Sequence, residues 1–169
     1  KMKNKRLFGV VGWKNSGKTT LVERLVSHFT KQGYKVSTIK HAHHSFDVDY
    51  EGTDSFRHRA AGASEVLLTS RNRWALIHEL REEMEPDFEY LLNKLGKVDL
   101  VLIEGFKNGQ HQKLEVIRSE NKSKPIFEGD KTIVGLATDN KINGNGLPVF
   151  NLNEVSEIAN FILDQVGKE

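Results

Sequence analysis

The chain of 169 residues is long enough to bury a hydrophobic core in one domain without disulfides or structural metals. Its formal net charge is only +2, and four of its 25 Lys and Arg lie in the first six residues, so no basic surface for nucleic acid is expected. The absence of cysteine excludes disulfides and thiolate metal sites and suits a cytoplasmic protein, and no apolar run approaches the ~20 residues of a membrane span.

The first predicted elements are a strand, a loop and a helix in direct succession. The apolar run LFGVV at residues 7–11 is typical of a buried strand. From Leu21 onward the apolar residues fall at 21, 22, 25, 26 and 29, which is the spacing of one helix face. The segment between them, GWKNSGKT, fits G-x-x-x-x-G-K-[ST], and a preceding strand with a following helix is the context that this phosphate-binding motif requires.

The spacing of this motif has a physical basis. Gly12 and Gly17 allow backbone conformations in which successive N–H groups turn inward around an anion, and the start of the helix adds unpaired N–H groups. Lys18 would then reach the β- and γ-phosphates of a nucleotide, and the Thr19 hydroxyl would bind Mg²⁺. The predicted phosphate-binding residues are Gly12, Trp13, Lys14, Asn15, Ser16, Gly17, Lys18, Thr19 and Thr20.

A second strand is predicted at 34–40, and a polar segment rich in His and Asp follows it. The candidate residues at and beyond its end are Lys40, His41, His43, His44, Asp47, Asp49, Asp54, Arg57 and Arg59. Three interpretations are open: a solvated loop, a loop that responds to nucleotide or faces a substrate, and a transition-metal site. A short helix is predicted from 54 to 61, then two strands at 65–70 and 73–80, of which the second also fits a helix.

The second half of the chain alternates helices with strands. Pro86 is predicted to open a helix that Gly96 ends, and a continuous apolar strand follows at 98–105. The remaining predicted strands are 113–118, 131–139 and 148–152. Asn153 is expected to cap the last helix. This order predicts an α/β fold of the P-loop NTPase type, a mostly parallel sheet flanked by helices with some antiparallel strands, in a single domain from 1 to 169.

Glu104 is the predicted partner of the phosphate loop. It ends the apolar stretch VLIE, and parallel strands bind ligands at their carboxyl ends. A carboxylate at that point holds the Mg²⁺ shell in P-loop proteins, and Glu is longer than the usual Asp, which favours contact through a water. Glu104 is therefore predicted to hold the metal together with Thr19 and to act in catalysis. The alternative is a carboxylate that is merely solvated at a strand end.

Base recognition is predicted at Asp139, at the end of the strand IVGLAT. Guanine presents N1–H and a 2-amino group, and a carboxylate accepts hydrogen bonds from both. The segment TDNKIN at 138–143 resembles the N-K-x-D box of guanine-binding proteins only superficially, because Asn143 stands where that box has Asp. The alternative for Asp139 is an ordinary turn residue.

Several segments together resemble the MobB family, accessory proteins of molybdenum cofactor biosynthesis. They are GWKNSGKTTL, IKHAHHSFDVD, GTDSFRHRAAGA, RWALIHEL and LVLIEGFK, in order from residue 12 to 107. The ATD segment and the last helix match in position, so nearly the whole chain is covered. Many families share the phosphate loop, whereas KHxHHxxDxD combined with IEGFK is specific to this one. Thr53 departs from the pattern, since Lys is expected there, and any phosphate contact of that side chain is in doubt.

The resemblance implies a dimeric GTP-binding protein with weak GTPase activity. It implies that the protein assists the nucleotidyltransferase MobA in joining GMP to molybdopterin, and leaves open whether molybdopterin itself binds. On this analogy Lys18 and Thr19 keep their phosphate and Mg²⁺ roles, Glu104 takes the Walker B position, and the His–Asp segment lies near the nucleotide. The implied ligands are GTP and Mg²⁺.

Two other functions fit parts of the sequence. A small-molecule kinase would close an arginine-bearing lid over the phosphates, and Arg57, Arg59, Arg71 and Arg73 could supply one. The histidines suggest a metal-delivery GTPase, but such proteins commonly use soft thiolate ligands, and the absence of cysteine argues against that function.

Overall fold

The computed structural model describes residues 6–42 and 46–167. In chain order the elements are β1 (Leu7–Val11), α1 (Lys18–Lys31), β2 (Val36–Lys40), α2 (Asp54–Ala60), β3 (Glu65–Thr69), β4 (Trp74–His78), α3 (Phe88–Lys94), β5 (Leu100–Glu104), β6 (Lys113–Ile117), β7 (Ile133–Thr138), β8 (Val149–Asn151) and α4 (Val155–Val166). Six strands form a parallel sheet in the order β2-β5-β1-β6-β7-β8, and β3 pairs with β4 in a separate antiparallel sheet. The predicted α/β fold of the P-loop NTPase type is confirmed.

The chain divides into two compact units, each described by itself. The first comprises Lys1–His41 with Leu95–Glu169 and contains the parallel sheet, α1 and α4, and the second comprises Ala42–Lys94 and contains the antiparallel hairpin, α2 and α3. The single domain expected from the sequence stays a prediction.

The core of the first unit lies on both faces of the parallel sheet. Side chains alternate between the two faces of a strand, so Phe8 and Val10 of β1 lie on one side of the sheet and Val11 lies on the other. On one side the apolar stripes of α1 and α4 cover the strands with buried residues that include Leu21, Leu25, Phe29, Ile158 and Ile162. On the other side Val11, Ile133 and Leu136 form a smaller cluster. Each fully buried side chain of this size contributes about 1.5–3 kcal/mol to folding, and β5 is buried over its whole length.

Two helix starts differ from the sequence predictions. Pro86 was expected to open α3, but the helix begins at Phe88, and the Asp87 carboxylate accepts the Tyr90 N–H at 2.7 Å, as an N-cap does. Asn153 was expected to cap α4, and this is wrong. The N-cap position is Glu154, whose side chain makes no capping hydrogen bond, and the Asn153 side-chain oxygen instead accepts a hydrogen bond from Arg24 on α1 at 3.2 Å.

Residues 73–80, whose sequence fits both a strand and a helix, contain the strand β4. Its pairing with β3 places Leu67 opposite Leu76 and Thr69 opposite Trp74. None of the helices in residues 6–42 and 46–167 combines the length and the apolar character that crossing a membrane would need.

Candidate functional site

The phosphate loop joins the end of β1 to the start of α1 through residues with positive φ. Gly12 has φ 149°, Gly17 has φ 94°, and Asn15, at φ 62°, is a non-glycine residue in the left-handed region. A Cβ on Gly12 would lie 2.6 Å from the Val116 carbonyl oxygen, so this position admits no side chain. Ser16 Oγ is buried and finds no hydrogen-bond partner within the described part of the chain. These left-handed turns and the buried hydroxyl fit an anion-binding loop that holds phosphate oxygens.

The ammonium group of Lys18 folds back across this loop. Lys18 Nζ donates to the Trp13 carbonyl oxygen at 2.7 Å. Burial lowers the pKa of Lys18; the Glu104 carboxylate opposes this shift, and the ammonium groups of Lys107 and Lys40 add to it. Three ammonium groups therefore stand near one carboxylate, and this excess of positive charge favours a polyanionic ligand. Of the other predicted loop residues, Lys14 and Thr20 are exposed.

Glu104 meets the first turn of α1 at the end of β5. Thr19 Oγ1 donates to Glu104 Oε1 at 2.7 Å, and Lys40 Nζ lies 3.0 Å from the same oxygen. The register explains this meeting, because Lys40 and Glu104 are paired residues of β2 and β5. A hydroxyl and a carboxylate are the hard oxygen ligands that Mg²⁺ takes, so the donor set fits this ion. The structure thus brings together the two residues predicted to share a metal, and their roles stay predictions.

The turn after Glu104 carries strained backbone. Gly105 has φ 91° and Phe106 has φ 51°, an unfavourable value for a bulky side chain. The Phe106 ring packs against the His41 imidazole with centroids 4.6 Å apart, and the His41 N–H donates to the Glu104 carbonyl oxygen at 2.9 Å. His41, a member of the predicted nucleotide-side segment, is therefore held at the tip of β2 beside Glu104.

Lys107 and Trp13 form a contact that sequence reasoning missed. Lys107 Nζ lies 4.2 Å from the centroid of the Trp13 ring, in a cation–π geometry. The Trp13 indole N–H donates to the Lys124 carbonyl oxygen at 2.9 Å, which holds the ring in place. The sequence feature that could have indicated this contact is the lysine of IEGFK, which follows the predicted metal-site carboxylate by three residues.

Asp139, the predicted base-binding residue, already has two partners. The Ser119 N–H donates to Asp139 Oδ1 at 2.8 Å, and Arg118 lies 3.3 Å from Oδ2. These hydrogen bonds, with the one from Ser119 first, lower the pKa of Asp139. Arg118 also donates through Nε to the Ser16 carbonyl oxygen at 3.3 Å. Arg118, which sequence reasoning missed, therefore connects Asp139 to the phosphate loop, and base recognition by Asp139 stays a prediction.

Glu115 anchors the loop that borders the phosphate loop. Its buried carboxylate on β6 accepts the N–H groups of Ile126 and Phe127, each at 2.8 Å, and burial raises its pKa. The loop held in this way and the phosphate loop line an open groove of about 620 Å³, with Trp13 and Arg118 among its walls. A carboxylate inside the apolar strand KLEVI was the sequence signal for this role.

The second unit contains the rest of the His–Asp segment. Arg59 donates to both carboxylate oxygens of the buried Asp49 and to Glu79, while the exposed Asp47 lies 3.6 Å away. Hydrogen bonds from Arg59 lower the pKa of Asp49. Thr53 caps α2, with its Oγ1 accepting the Phe56 N–H at 3.4 Å. Asp49 and Arg59 thus bind each other in the structure, and Thr53 has a local structural role.

The remaining members of the segment are exposed or undescribed. Asp54 and Arg57 are exposed on α2, and the predicted His43 and His44 lie outside the described residues. Among the residues with described positions, no group of three His, Asp or Glu side chains could hold a metal ion.

Comparison with known proteins decides the family. Residues 7–139 match the family described as MobB, molybdopterin guanine dinucleotide synthesis protein B. The chain belongs to the MobB family. The resemblance inferred from the sequence motifs is confirmed.

Relatives within the MobB family match along nearly the whole chain. A molybdopterin-guanine dinucleotide biosynthesis adapter protein of Escherichia coli is 32% identical over 96% of this chain and 94% of its own length. A protein of the same description from Haemophilus influenzae is 37% identical over 92% of this chain and 86% of its own length. The crystal structure of Bacillus subtilis MobB has a TM-score of 0.76 and 28% identity, and the match covers 96% of this chain and 99% of that one.

Proposed function

We propose that this protein is a cytoplasmic adapter of molybdopterin-guanine dinucleotide biosynthesis that binds GTP and Mg²⁺ at its phosphate loop. In this proposal it hydrolyses GTP slowly and assists a MobA-like nucleotidyltransferase in attaching GMP to molybdopterin. The observation that carries the proposal is the 2.7 Å contact of Thr19 with Glu104 beside a phosphate loop, in a chain of the MobB family. The descriptions of the relatives from Escherichia coli and Haemophilus influenzae support the pathway.

The charges around the loop support a triphosphate as the ligand. Lys18 is free to exchange the Trp13 carbonyl oxygen for a phosphate oxygen, which is a stronger, charge-assisted partner. Lys40 would neutralise phosphate charge from the side of β2. Thr19 and Glu104 would hold Mg²⁺, which supplies charge neutralisation between the β- and γ-phosphates.

Guanine is the proposed base, with Asp139 as its reader. Asp139 lies at the carboxyl end of β7, where a parallel sheet binds ligands. To accept the guanine N1–H and 2-amino group, its carboxylate would exchange its hydrogen bonds with Ser119 and Arg118. Arg118 would then be able to turn toward phosphate. The proposal therefore links base recognition to occupancy of the phosphate loop.

The hairpin of β3 and β4 supports a homodimer. On one face of the hairpin the residues Leu67, Trp74 and Leu76 are 64%, 68% and 44% exposed. In the described part of the second unit the hairpin pairs with no third strand. A two-stranded sheet with an apolar exposed face is marginally stable alone, and a second copy of the same hairpin would cover that face.

Co-purification with MobA tests the adapter function. The wild-type protein is expected to retain MobA on a column more strongly with GTP and Mg²⁺ than without them, and the K18A variant to lose that nucleotide effect. Equal retention under all conditions would leave MobA binding independent of the phosphate loop and would contradict the proposal. In parallel, transfer of label from [γ-³²P]GTP to a small acceptor would favour the kinase alternative.

A further inference from the structure

Neither the phosphate-loop motif nor the predicted metal pair assigns a role to Lys107. It follows Glu104 by three residues, and its ammonium lies 4.2 Å above the centroid of the Trp13 ring. Trp13 is itself the second residue of the phosphate loop. The cation therefore lies directly on the loop that is proposed to bind phosphate, and is near enough to the Lys18 ammonium to influence it electrostatically.

We propose that Lys107 is a phosphate-binding residue that rests on Trp13 in the nucleotide-free protein and moves to the terminal phosphate when a nucleoside triphosphate binds. The proposal rests on the proposed function, because its ligand is the triphosphate at the phosphate loop. It adds a third ammonium group to those of Lys18 and Lys40, and it gives the Trp13 ring a role as the resting place of that group.

The contacts of Lys107 favour such a movement. Within the described residues the Lys107 ammonium makes no hydrogen bond and no ion pair, and the Trp13 ring is the group that it contacts. A cation over a partly exposed ring is held more weakly than an ammonium that donates to a phosphate oxygen. The ring itself stays in place through its hydrogen bond to the Lys124 carbonyl oxygen. A phosphate within reach would therefore outcompete the ring for the cation.

The backbone between Glu104 and Lys107 has a source of movement. Gly105 and Phe106 both have positive φ, and the value of 51° at Phe106 is strained for a bulky residue. The Gly105 N–H is bound to the Val10 carbonyl oxygen at 3.1 Å, which holds the near end of the turn to β1. A change of the backbone torsions at Phe106 would relieve its strain and redirect Lys107 while Glu104 stays fixed on β5.

Calorimetric titration of three variants with GTP and with GDP tests the role of Lys107. K107M is expected to weaken GTP binding by about tenfold, the loss typical of one charge-assisted hydrogen bond, and to leave GDP binding unchanged within about twofold. K107R keeps the charge and is expected to retain most of the GTP affinity. K31M is the matched control, since it removes one positive charge from an exposed lysine in the last turn of α1, outside the groove beside the phosphate loop. Retained GDP binding shows that K107M is folded.

Trp13 fluorescence provides a second readout. The chain has two tryptophans, so the W74F protein reports on Trp13 alone. GTP with Mg²⁺ is expected to change the Trp13 emission more than GDP does, because the Lys107 ammonium leaves the ring only when GTP binds. In the K107M variant GTP and GDP are expected to change the Trp13 emission by the same amount.

The outcomes separate the two proposals. Wild-type protein that binds neither nucleotide would overturn the proposed function and the role of Lys107 with it. Wild-type protein that binds both, with K107M weakening GTP and GDP equally or not at all, would overturn the role of Lys107 alone. Selective loss of GTP affinity and of the GTP-specific emission change in K107M, but not in K31M, would support it.

Discussion

Glu104 is the residue through which the site would depend on metal. Its Oε1 accepts the Thr19 hydroxyl and the Lys40 ammonium, and Gln in its place keeps the size but loses the charge that holds Mg²⁺. E104Q is expected to bind GTP with an affinity that no longer rises with the Mg²⁺ concentration. Its rate of GTP hydrolysis is expected to be lower than that of the wild type by at least about tenfold. Titrations of GTP at several Mg²⁺ concentrations measure this, with E157Q as a control on an exposed carboxylate of α4 outside the groove. A metal dependence equal to that of the wild type would exclude Glu104 from the metal site.

His111 is expected to make stability depend on pH. A Cβ on Gly9 would lie 2.6 Å from its Nε2, so the ring packs tightly against β1, and burial beside Lys113 lowers its pKa from 6.5 to about 4, with Asp130 opposing. Between pH 6.5 and 4 the unfolded chain binds a proton at this histidine that the folded protein does not. Stability therefore falls as the pH drops through this range, by on the order of 2 kcal/mol after allowance for partial solvent screening.

Urea unfolding at pH 7 and pH 5 measures this effect. The H111Q variant is expected to lose less stability than the wild type between the two pH values, whatever its stability at pH 7. H58Q, which removes an exposed histidine on α2, is the control and should follow the wild type. Identical pH dependence in wild type and H111Q would show that this histidine is protonated alike in both states.

At the scale of the elements, the strands and helices of the first unit were predictable because their apolar spacing is undisturbed. LFGVV and VLIE are continuous apolar runs, as buried parallel strands require, and both were placed correctly. The phosphate loop was predictable because its motif occupies eight consecutive residues between an adjoining strand and helix. Contacts between distant residues were not. Lys107 meets Trp13, and Arg118 meets Asp139, only through the strand order, which no local pattern contains.

The segment between β2 and α2 shows a second limit of local reasoning. Asp47, Asp49 and Asp54 carry like charges that repel one another unless a cation lies between them, and the sequence alone does not say whether that cation is Mg²⁺ or an arginine. In the structure Arg59 fills that role for Asp49, ten residues away along the chain. The prediction that Asn153 caps α4 was wrong in a similar way, since the Asn153 side-chain oxygen accepts a hydrogen bond from Arg24 on α1. In both cases a tertiary partner decided between two local possibilities.

Hydrogen exchange tests whether this segment responds to nucleotide. We expect the backbone amides of residues 46–54 to exchange more slowly with GTP and Mg²⁺ than without them, as in loops that order on contact with phosphate and metal. The amides of the hairpin β3–β4 serve as an internal reference. Equal exchange rates with and without nucleotide would favour the interpretation of this segment as a solvated loop that does not respond to nucleotide.

The hairpin is the element on which the proposed dimer depends. Glu in place of Leu76 puts a charge on the exposed apolar face opposite Leu67, and is expected to weaken self-association by about tenfold or more. Light scattering during size-exclusion chromatography reports the mass across a concentration series. M84E, which adds the same charge at a 90% exposed position of the same unit, is the control. A wild-type monomer, or an L76E dimer as stable as the wild type, would remove the hairpin from the interface.

For the whole molecule, the family and the site point to the same conclusion by separate routes. The match over residues 7–139 places the chain in the MobB family, and the geometry of the first unit brings the loop, Thr19 and Glu104 to one end of a parallel sheet. Binding of GTP at that end is the claim on which the adapter function, the metal role and the role of Lys107 all depend.

Calorimetric titration of the wild-type and K18A proteins with GTP and ATP, each with Mg²⁺, tests that claim most directly. Lys18 donates to the Trp13 carbonyl oxygen of the loop and is not one of the buried core residues, so K18A should keep its unfolding temperature while losing the charge that binds phosphate. We expect one GTP per chain for the wild type, weaker binding of ATP, and at least about a hundredfold weaker GTP binding for K18A. A wild-type protein that binds no GTP, or a K18A variant that binds GTP as well as the wild type does, would exclude the phosphate loop as a GTP site.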